Sequence, residues 1–418
     1  MTSETELRAA CAALQYPPYQ DYDPVTLEPC GVTVRRVELM ETIMPQVLAG
    51  GASLLDVGSS KGFVSFWVRD RYDRVDGYEM GTHAWNIAEA ARRYHKLDHV
   101  RFVNRSFRWI EVSRLGGFQT YDVVYAGSVH HHLLKDALLH GAPVYLPLAK
   151  LAALAQRYLV LDGSFEVPRS YSLTEWAKQY GWDQGVRDRF TLDNHVAALR
   201  PQFQPVHGPL DNGRGGECIV FERVAPDLPH VDIATQEIGP RVPALKAIPA
   251  GAARECGSVM RRGDRRYKFD AAGMQSDGVL MILNHMPQWF AHTHAAMVHA
   301  GRRIGDVAEW VEGEPIGSAK ELVVPWLRLN DALASIGLVE PHFRVNDFVR
   351  RGTDVVDVDV DMVDHVGRTA AAARYLAQFK ENNAGTFGAA LVERIAGHLS
   401  DEWVFRDALK ELTDAAVS

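Results

Sequence analysis

The sequence lacks several features that would place it in a specialised class of protein. Its four cysteines, Cys11, Cys30, Cys218 and Cys256, are scattered and form no C-x-x-C pair, so neither a disulfide framework nor a zinc site is expected. No stretch offers about 18 uninterrupted apolar residues, and the first residues lack the basic start and apolar run of a signal peptide. We therefore expect a protein without a membrane span, located in the cytoplasm.

Positive charge is also scarce. Lys and Arg number 45 against 53 Asp and Glu, which gives a formal net charge of −8. Because nucleic-acid binding needs concentrated cations to neutralise phosphates, we expect no nucleic-acid partner. At 418 residues, the chain exceeds the roughly 250 to 300 residues at which single cores stop growing. Two domains are therefore predicted.

The pattern along the chain divides it into four segments. Residues 1–50 are predicted to form an N-terminal cap or lid that ends in a helix from Val37 to Leu48, kinked by its proline. Residues 51–224 alternate short β-branched runs with helical stretches, which predicts a parallel sheet with helices on both faces. Residues 225–251 contain five prolines and are predicted to be a linker. Residues 252–418 are predicted to form a smaller α+β domain.

Individual strands and helices follow from the same patterns. The strands predicted in the first domain are Ser53–Val57, Arg74–Tyr78, Val100–Val103, Tyr121–Tyr125, Tyr158–Leu161 and Glu217–Glu222. In the second domain, the apolar run Val279–Leu283 predicts a strand. The segments Trp289–Ala300 and Leu322–Ile336 predict helices.

The clearest functional signal is a strand that runs into a glycine-rich turn. Asp56 and Val57 end a buried strand, Gly58–Gly62 form the turn, and a helix is predicted from Phe63. Glycine has no Cβ, so such a turn lets a ligand approach the backbone closely. After the next strand stands Glu79, where a nucleotide-binding α/β fold places a carboxylate that accepts hydrogen bonds from two ribose hydroxyls.

The run Asp56-Val57-Gly58-Ser59-Ser60-Lys61-Gly62 resembles the first motif of class I S-adenosylmethionine-dependent methyltransferases, roughly D/E-x-G-x-G-x-G, with Ser60 replacing the middle glycine. The resemblance implies a Rossmann-like, mostly parallel seven-stranded sheet and S-adenosylmethionine as the cofactor. It places Asp56 and Gly58 under the methionine part and Glu79 on the ribose, with Asn104 or Ser106 near the adenine. The residues expected around the cofactor are Asp56, Gly58, Ser59, Ser60, Gly62, Phe63, Glu79, Asn104, Ser106 and Gly127.

A second motif follows the fourth predicted strand. The run Ser128-Val129-His130-His131-His132-Leu133 resembles the S-x-x-H-H-L segment of many small-molecule and sugar methyltransferases of this class, at the edge where an open α/β sheet places its reaction site. Adjacent helical residues point about 100° apart and cannot all reach one ion, so no metal is expected. A histidine can accept the proton lost from a hydroxyl acceptor. His131, the preferred candidate, and His132 are therefore the candidate catalytic residues; the alternative is that these histidines only cap or pack the helix.

Residues 252–370 resemble the protein-kinase-like fold, which some bacterial polysaccharide chain-terminating enzymes fuse behind a methyltransferase domain. Lys268 would be the strand lysine that pairs nucleotide phosphates, His342–Asn346 the catalytic loop, and Asp357 the metal-binding aspartate. An H-R-D aspartate and a Gly-rich loop before Lys268 are missing. The resemblance therefore implies a degenerate kinase-like domain used for substrate capture or oligomerisation. An active kinase and an unrelated α+β domain are the alternatives.

These observations together predict a methyltransferase that acts on an oxygen of a sugar or glycan-related acceptor in polysaccharide biosynthesis. The alternatives are a methyltransferase for natural products or other small molecules, a bifunctional methyltransferase and kinase, a nucleic-acid methyltransferase, and an adaptor that keeps the cofactor fold without catalysis. The expected partner is a small-molecule or glycan acceptor. Formation of a homo-oligomer through the C-terminal domain is left open.

Overall fold

The structure is a computed structural model. It describes residues 4–13, 22–30, 37–112 without 39 and 43, 120–165, 190–211, 216–232, 258–269, 276–299, 302–340, 343–358, 364–365, 376–402 without 378, 382 and 386, and 405–417. The chain forms two compact units. The first comprises Met1–Ile110, Gln119–Leu139 and Pro147–Ala225, and the second Glu111–Phe118, His140–Leu146 and Pro226–Ser418. Within the described ranges, no helix is long and apolar enough to cross a membrane.

The first unit is built on a seven-stranded sheet. Its strands are β1 (Gly51–Val57), β2 (Tyr72–Tyr78), β3 (Val100–Val103), β4 (Tyr121–Gly127), β5 (Ala155–Gly163), β6 (Phe203–Asp211) and β7 (Glu217–Arg223). Its helices are α1 (Glu4–Ala13), α2 (Pro45–Leu48), α3 (Phe63–Trp67), α4 (Thr82–His95), α5 (His130–Leu139), α6 (Leu146–Leu154) and α7 (Leu192–Leu199). The six strands predicted from the sequence are all present.

The strand order of this sheet is β3-β2-β1-β4-β5-β7-β6. Strands β1 to β5 pair in parallel, whereas β7 is antiparallel to both β5 and β6. From β1 the chain moves outward to β3 on one side and then returns to β4 on the other. Because parallel crossovers are right-handed, this reversal places helices on both faces of the sheet. The Rossmann-like architecture predicted from the sequence is confirmed.

The central strands are buried because helices cover both faces of the sheet. From Ser53 to Val57 every residue of β1 is buried, and β4 is buried apart from its second residue. A parallel sheet covered on both faces produces such continuous apolar runs, which is why these strands were visible in the sequence. The predicted helix from Val37 to Leu48 is instead divided, since a separate short helix begins at Pro45; proline lacks the N–H of a helix interior but suits a helix start.

The second unit contains three sheets. The largest is a five-stranded sheet in the order β8-β11-β12-β10-β9, and the smaller ones have the orders β13-β15-β16 and β14-β17. The strands are β8 (His230–Asp232), β9 (Ser258–Arg262), β10 (Arg265–Phe269), β11 (Thr293–His299), β12 (Arg302–Glu309), β13 (Glu314–Pro315), β14 (Leu338–Val339), β15 (Phe348–Arg351), β16 (Asp354–Asp357) and β17 (Asp364–His365). The helices are α8 (Asp277–Asn284), α9 (Ala319–Ala334), α10 (Ala389–Glu402) and α11 (Phe405–Val417).

Two secondary-structure predictions in this unit were wrong. The apolar run Val279–Leu283 is part of helix α8, where the Ser276 hydroxyl caps the helix by accepting from the Val279 N–H at 3.2 Å. Burial on all sides removes the polar stripe by which a helix is recognised. Conversely, the segment Trp289–Ala300 contains strand β11, which pairs with β8 on one side and β12 on the other. Ladder pairing on both edges outweighs the helix preference of its alanines.

The predicted linker from 225 to 251 is described only at its beginning. Its residues His230–Asp232 form β8, an edge strand of the five-stranded sheet, and residues 233–251 lie outside the described residues. The boundaries of the cap, the linker and the C-terminal domain stay predictions.

Candidate functional site

The expected cofactor residues lie along the carboxyl edge of the seven-stranded sheet. The register pairs Val57 with Tyr78 and with Ala126, and Tyr78 with Val103. The residues that follow these strand ends are therefore neighbours along one edge: Gly58, Glu79, Asn104 and, after β4, Ser128. The strand order reverses between β1 and β4, and open α/β sheets bind ligands in the crevice at such a point.

The glycine-rich turn has an alternating left-handed backbone. Gly58, Ser60 and Gly62 have φ angles of 72°, 50° and 84°. Residues other than glycine seldom adopt this conformation, which costs roughly 1 to 2 kcal/mol. Ser60 stands where the methyltransferase motif has its middle glycine. The left-handed φ at this position is the physical reason for a glycine there, and a serine at the same position is strained. Strain of this kind concentrates at ligand sites.

Gly62 is the position in this turn that should tolerate a side chain least. A Cβ at Gly62 would stand 2.6 Å from Cζ of Phe102, in addition to the left-handed φ. Gly62→Ala is expected to lower the free energy of unfolding by about 2 to 4 kcal/mol, from backbone strain plus overpacking. Gly141 is a matched control because its φ is 66° and nothing lies within 4 Å of its added Cβ. In urea denaturation, Gly141→Ala should lower the free energy of unfolding by only about 1 kcal/mol. Equal losses of unfolding free energy in the two variants would contradict this account of the turn.

The Glu79 carboxylate faces the glycine-rich turn. Its Oε2 accepts a hydrogen bond from the Ser60 N–H at 2.9 Å, and its Oε1 accepts one from the Gly81 N–H at 2.6 Å. A carboxylate offers about four lone-pair sites, so each oxygen keeps one for a further donor. The two carboxylate oxygens can therefore each accept one further hydrogen bond, which matches the two hydroxyls of a ribose.

A second polar group in the turn is suited to a ligand. Ser59 is buried, and its hydroxyl oxygen has no hydrogen-bond partner among the described residues. A buried polar atom left unsatisfied costs about 1 to 3 kcal/mol, which a ligand donor or acceptor would recover. Asp56 is also buried, and it accepts a hydrogen bond from the Ser65 hydroxyl at 2.8 Å, tying β1 to α3. The residues of this edge therefore fit an adenosine-containing cofactor.

Asn104 supports the segment that carries Glu79. Its side-chain amide donates to the carbonyl oxygens of Glu79 at 2.9 Å and Met80 at 3.3 Å, and its oxygen accepts from the Thr82 hydroxyl at 3.2 Å. These bonds hold the peptide after β2 in place. An adenine contact by Asn104 or Ser106 stays a prediction. Met80 is 75% exposed beside Glu79, which leaves apolar surface next to the expected ribose position.

The N-terminal segment contacts the glycine-rich turn. The Tyr22 hydroxyl donates to the carbonyl of Lys61 at 2.7 Å, and its ring packs edge-on against Phe66 at 5.5 Å between centroids. The His95 ring is hydrogen-bonded to the carbonyl of Pro24 at 2.9 Å. Residues 22–30 thus pack on the turn and on α4. The sequence does not predict these contacts, because they join residues that are far apart in the chain and close only in the folded structure.

The histidine segment begins α5 directly after β4. His130 is fully buried, its Nε2 donates a hydrogen bond to the carbonyl oxygen of Ser164 at 2.9 Å, and its ring packs against Phe165. Burial lowers its pKa well below the usual value, so it is a neutral core residue. His131 is partly buried, its Nδ1 has no hydrogen-bond partner among the described residues, and its ring lies 4.1 Å from that of His132. Burial, with the neighbouring His132 and Lys135, lowers the pKa of His131 to about 3.

Neutral buried histidines make the first unit sensitive to acid. Burial lowers the pKa of His195, which packs against Phe165 and Phe190, from 6.5 to about 4. The unfolded chain therefore takes up a proton that the native state rejects, so this stability is present above pH 6.5 and is lost as the pH falls toward 4. Urea denaturation across this pH window should show that the free energy of unfolding of His195→Phe depends less steeply on pH, by on the order of 1 kcal/mol per pH unit. The exposed His83→Gln is the control, and identical slopes for His195→Phe and the unmutated chain would refute this origin of the acid sensitivity.

Two further residues at this edge carry no functional signal in the sequence. The Tyr125 hydroxyl donates to Oδ2 of Asp162 at 2.6 Å, and both residues are buried. Asp162 pairs in register with Gly127, so it lies near the end of β5, beside the histidine segment. In the sequence, Asp162 has the pattern of a polar residue near the end of an ordinary strand. The tyrosine therefore fixes the orientation of a buried carboxylate at this edge.

The kinase-like residues of the second unit are brought together in part. Lys268 on β10 and Asn346 in the turn Val345–Asp347 line one cavity of about 290 Å³. Asp357, at the end of β16, is buried, but the lining of that cavity includes its neighbour Val358 instead. His342 and Asp359 lie outside the described residues. In the described part of the chain, no group of three or more His, Cys, Asp or Glu residues is placed to hold a metal ion.

Solved structures with a similar fold include three methyltransferases. The bifunctional kinase-methyltransferase WbdD is 13% identical over 98% of this chain and 95% of that chain, with a TM-score of 0.34. The N-methyltransferase NodS from Bradyrhizobium japonicum WM9 is 12% identical over 46% of this chain and 96% of that chain, with a TM-score of 0.30. The magnesium protoporphyrin IX methyltransferase ChlM from Synechocystis PCC 6803, solved with bound SAH, is 19% identical over 50% of this chain and 91% of that chain, with a TM-score of 0.32.

At identities of 12 to 19% and TM-scores of 0.30 to 0.34, these similarities support no conclusion about function. The sequence matches no protein-family model and no curated protein. A function for this chain therefore has to be argued from its own residues.

Proposed function

We propose that the first unit is an S-adenosylmethionine-dependent methyltransferase that methylates an oxygen of a sugar or glycan-related acceptor. The observation that carries the proposal is the Glu79 carboxylate, which faces the glycine-rich turn and accepts one hydrogen bond on each oxygen from the residues that the structure describes. The turn and the histidine segment flank the point where the strand order reverses, so a ligand in that crevice meets both.

The chain's own residues supply binding and orientation. S-adenosylmethionine, when bound, supplies a methyl group already activated on a sulfonium. Glu79 would accept hydrogen bonds from the ribose hydroxyls, and the exposed Met80 would pack on the adenine. The Ser59 hydroxyl, which has no partner among the described residues, would gain one. Positioning is the main contribution expected of the protein, since holding two reactants in line is worth about 7 to 11 kcal/mol in favourable cases.

Proton removal is assigned to His131. Its pKa is lowered to about 3, so the ring is neutral at neutral pH and one of its two nitrogens has a lone pair that can accept a proton. Its Nδ1 atom is buried and has no hydrogen-bond partner among the described residues, and we assign to it the hydrogen bond from the acceptor hydroxyl. General bases contribute roughly a factor of 10² to 10⁴, most when their pKa lies near the operating pH, so a base with so low a pKa belongs at the lower end of that range. His132 is exposed and is the alternative base.

A methyl-transfer screen tests this assignment. The full chain is incubated with radiolabelled S-adenosylmethionine and panels of sugars and glycans, natural products, and nucleic acids. Transfer to a glycan or sugar oxygen supports the proposal, whereas transfer confined to natural products or to nucleic acid replaces the acceptor class. Binding of S-adenosylhomocysteine without transfer to any panel favours an adaptor. A kinase activity of the second unit stays an alternative.

A further inference from the structure

The glycine-rich turn is held by a buried tyrosine of the N-terminal segment. The Tyr22 hydroxyl donates a hydrogen bond to the carbonyl oxygen of Lys61 at 2.7 Å, and Tyr22 is only 8% exposed. The N–H of the same peptide group, which belongs to Gly62, donates to the carbonyl oxygen of Ser59 at 2.8 Å. The peptide between Lys61 and Gly62 is therefore fixed at both its oxygen and its nitrogen.

The ring of Tyr22 is anchored independently of its hydroxyl. It packs edge-on against Phe66 with 5.5 Å between the ring centroids, and Phe66 packs in the same way against Phe102 at 5.2 Å. Phe102 in turn fills the space beside Gly62, where an added Cβ would stand 2.6 Å from the Cζ of this ring. Removing only the hydroxyl of Tyr22 should therefore leave the aromatic packing in place.

Residues 22–30, which we call the strap, are held in one shape by bonds of their own. The Oδ1 atom of Asp23 accepts a hydrogen bond from the Val25 N–H at 2.7 Å. The strap is also attached to helix α4, because Nε2 of His95 donates to the carbonyl oxygen of Pro24 at 2.9 Å. The strap can therefore present the tyrosine hydroxyl to the turn in a fixed position.

The turn benefits from such a restraint because part of it is strained. Ser60 has a φ of 50°, in the left-handed region that residues other than glycine disfavour. A turn that visits other conformations binds its ligand more weakly, in proportion to the fraction of molecules with the binding conformation. A hydrogen bond that raises this fraction raises the affinity without contacting the ligand.

We propose that Tyr22 is a positioning residue for the cofactor. Its hydroxyl holds the carbonyl of Lys61, so that Ser60 stays in the left-handed conformation in which its N–H bonds the Glu79 carboxylate. Tyr22 acts through the turn and not by touching the ligand. This inference rests on the proposed function, since it takes the turn to be the binding site of S-adenosylmethionine.

Calorimetry of the full chain with S-adenosylhomocysteine tests the inference. Tyr22→Phe removes the hydroxyl and keeps the ring, so the dissociation constant is expected to rise about three- to tenfold, the loss of one hydrogen bond. Tyr72→Phe is the matched control. Tyr72 is also buried, and its hydroxyl donates to a backbone carbonyl outside the turn, that of Val47 at 2.5 Å. Its removal should leave the affinity unchanged, and thermal unfolding of both variants shows that each is folded.

A second background separates restraint of the turn from any other role of Tyr22. Ser60→Gly removes the penalty for a left-handed φ, so in that background Tyr22→Phe should weaken binding by less than about twofold. The inference is overturned if the factor lost is the same in both backgrounds, or if Tyr72→Phe loses as much affinity as Tyr22→Phe.

The same titrations distinguish failure of this inference from failure of the proposed function. If the unmutated chain and Tyr22→Phe bind S-adenosylhomocysteine equally well, the positioning role of Tyr22 is wrong and the cofactor assignment stands. If the unmutated chain does not bind S-adenosylhomocysteine at all, the proposed function is wrong, and the role of Tyr22 is overturned with it.

Discussion

Replacing Glu79 by Gln is expected to weaken the binding of S-adenosylhomocysteine by ten- to a hundredfold. The carboxylate is held toward the glycine-rich turn by the N–H groups of Ser60 and Gly81. The ribose hydroxyls would donate to the same two oxygens, and hydrogen bonds to a charged acceptor contribute about 1.5 to 3 kcal/mol. Glutamine keeps one carbonyl acceptor, so part of the affinity should remain. Isothermal titration calorimetry gives the two dissociation constants.

The control for this substitution is Asp73→Asn. Asp73 is exposed near the start of β2, whereas Glu79 directly follows the end of the same strand. Removing its charge changes the net charge by the same amount without touching the carboxyl edge. Equal affinities for Glu79→Gln and Asp73→Asn would remove Glu79 from the cofactor site. Thermal unfolding of both variants verifies that each is folded.

Replacing His131 by Ala is expected to lower kcat by about a hundredfold or more, with little change in cofactor affinity. The acceptor identified by the methyl-transfer screen is used for this assay. Because burial and its neighbours lower the pKa of His131 to about 3, the ring is already unprotonated near neutrality. The kcat of the unmutated chain should therefore stay flat between about pH 6 and pH 8.

His132→Ala is the matched comparison, since His132 is the exposed neighbour on the same helix. A smaller loss is expected for His132→Ala than for His131→Ala. Full turnover by His131→Ala would exclude it as the base, and a large loss in His132→Ala alone would transfer the role to His132. A kcat that rises through pH 6.5 in the unmutated chain would also contradict a base with so low a pKa.

The expected cofactor residues at the carboxyl edge of the seven-stranded sheet could be predicted because their sequence signals are local. A buried β-branched strand, a turn with glycines, and an acid after the next strand are consecutive in the chain. Each reports a constraint that acts within a few residues, such as the left-handed φ of Gly58 and Gly62. The parallel pairing of β1 with β2 then aligns Val57 with Tyr78, which brings Glu79 to the turn without any further signal.

What the sequence did not reveal depends on partners far along the chain. Strand β6 was hidden because Pro205 and Pro209 interrupt its pattern, and an edge strand tolerates them. Helix α8 and strand β11 were exchanged because burial on all sides removes amphipathic periodicity. The pairing of Tyr125 with Asp162 joins two strands that are adjacent only in the sheet. Tyr22 is likewise far along the chain from the glycine-rich turn whose carbonyl it bonds.

The central claim is that the turn from Gly58 to Gly62 and the Glu79 carboxylate together hold an adenosine group. A crystal structure of the chain grown with S-adenosylhomocysteine tests it most directly. The account predicts density in the crevice between β1 and β4, with both ribose hydroxyls at about 2.5 to 3.0 Å from the Glu79 oxygens. A crevice closed by side chains, or a ligand bound elsewhere with Glu79 unchanged, would contradict it.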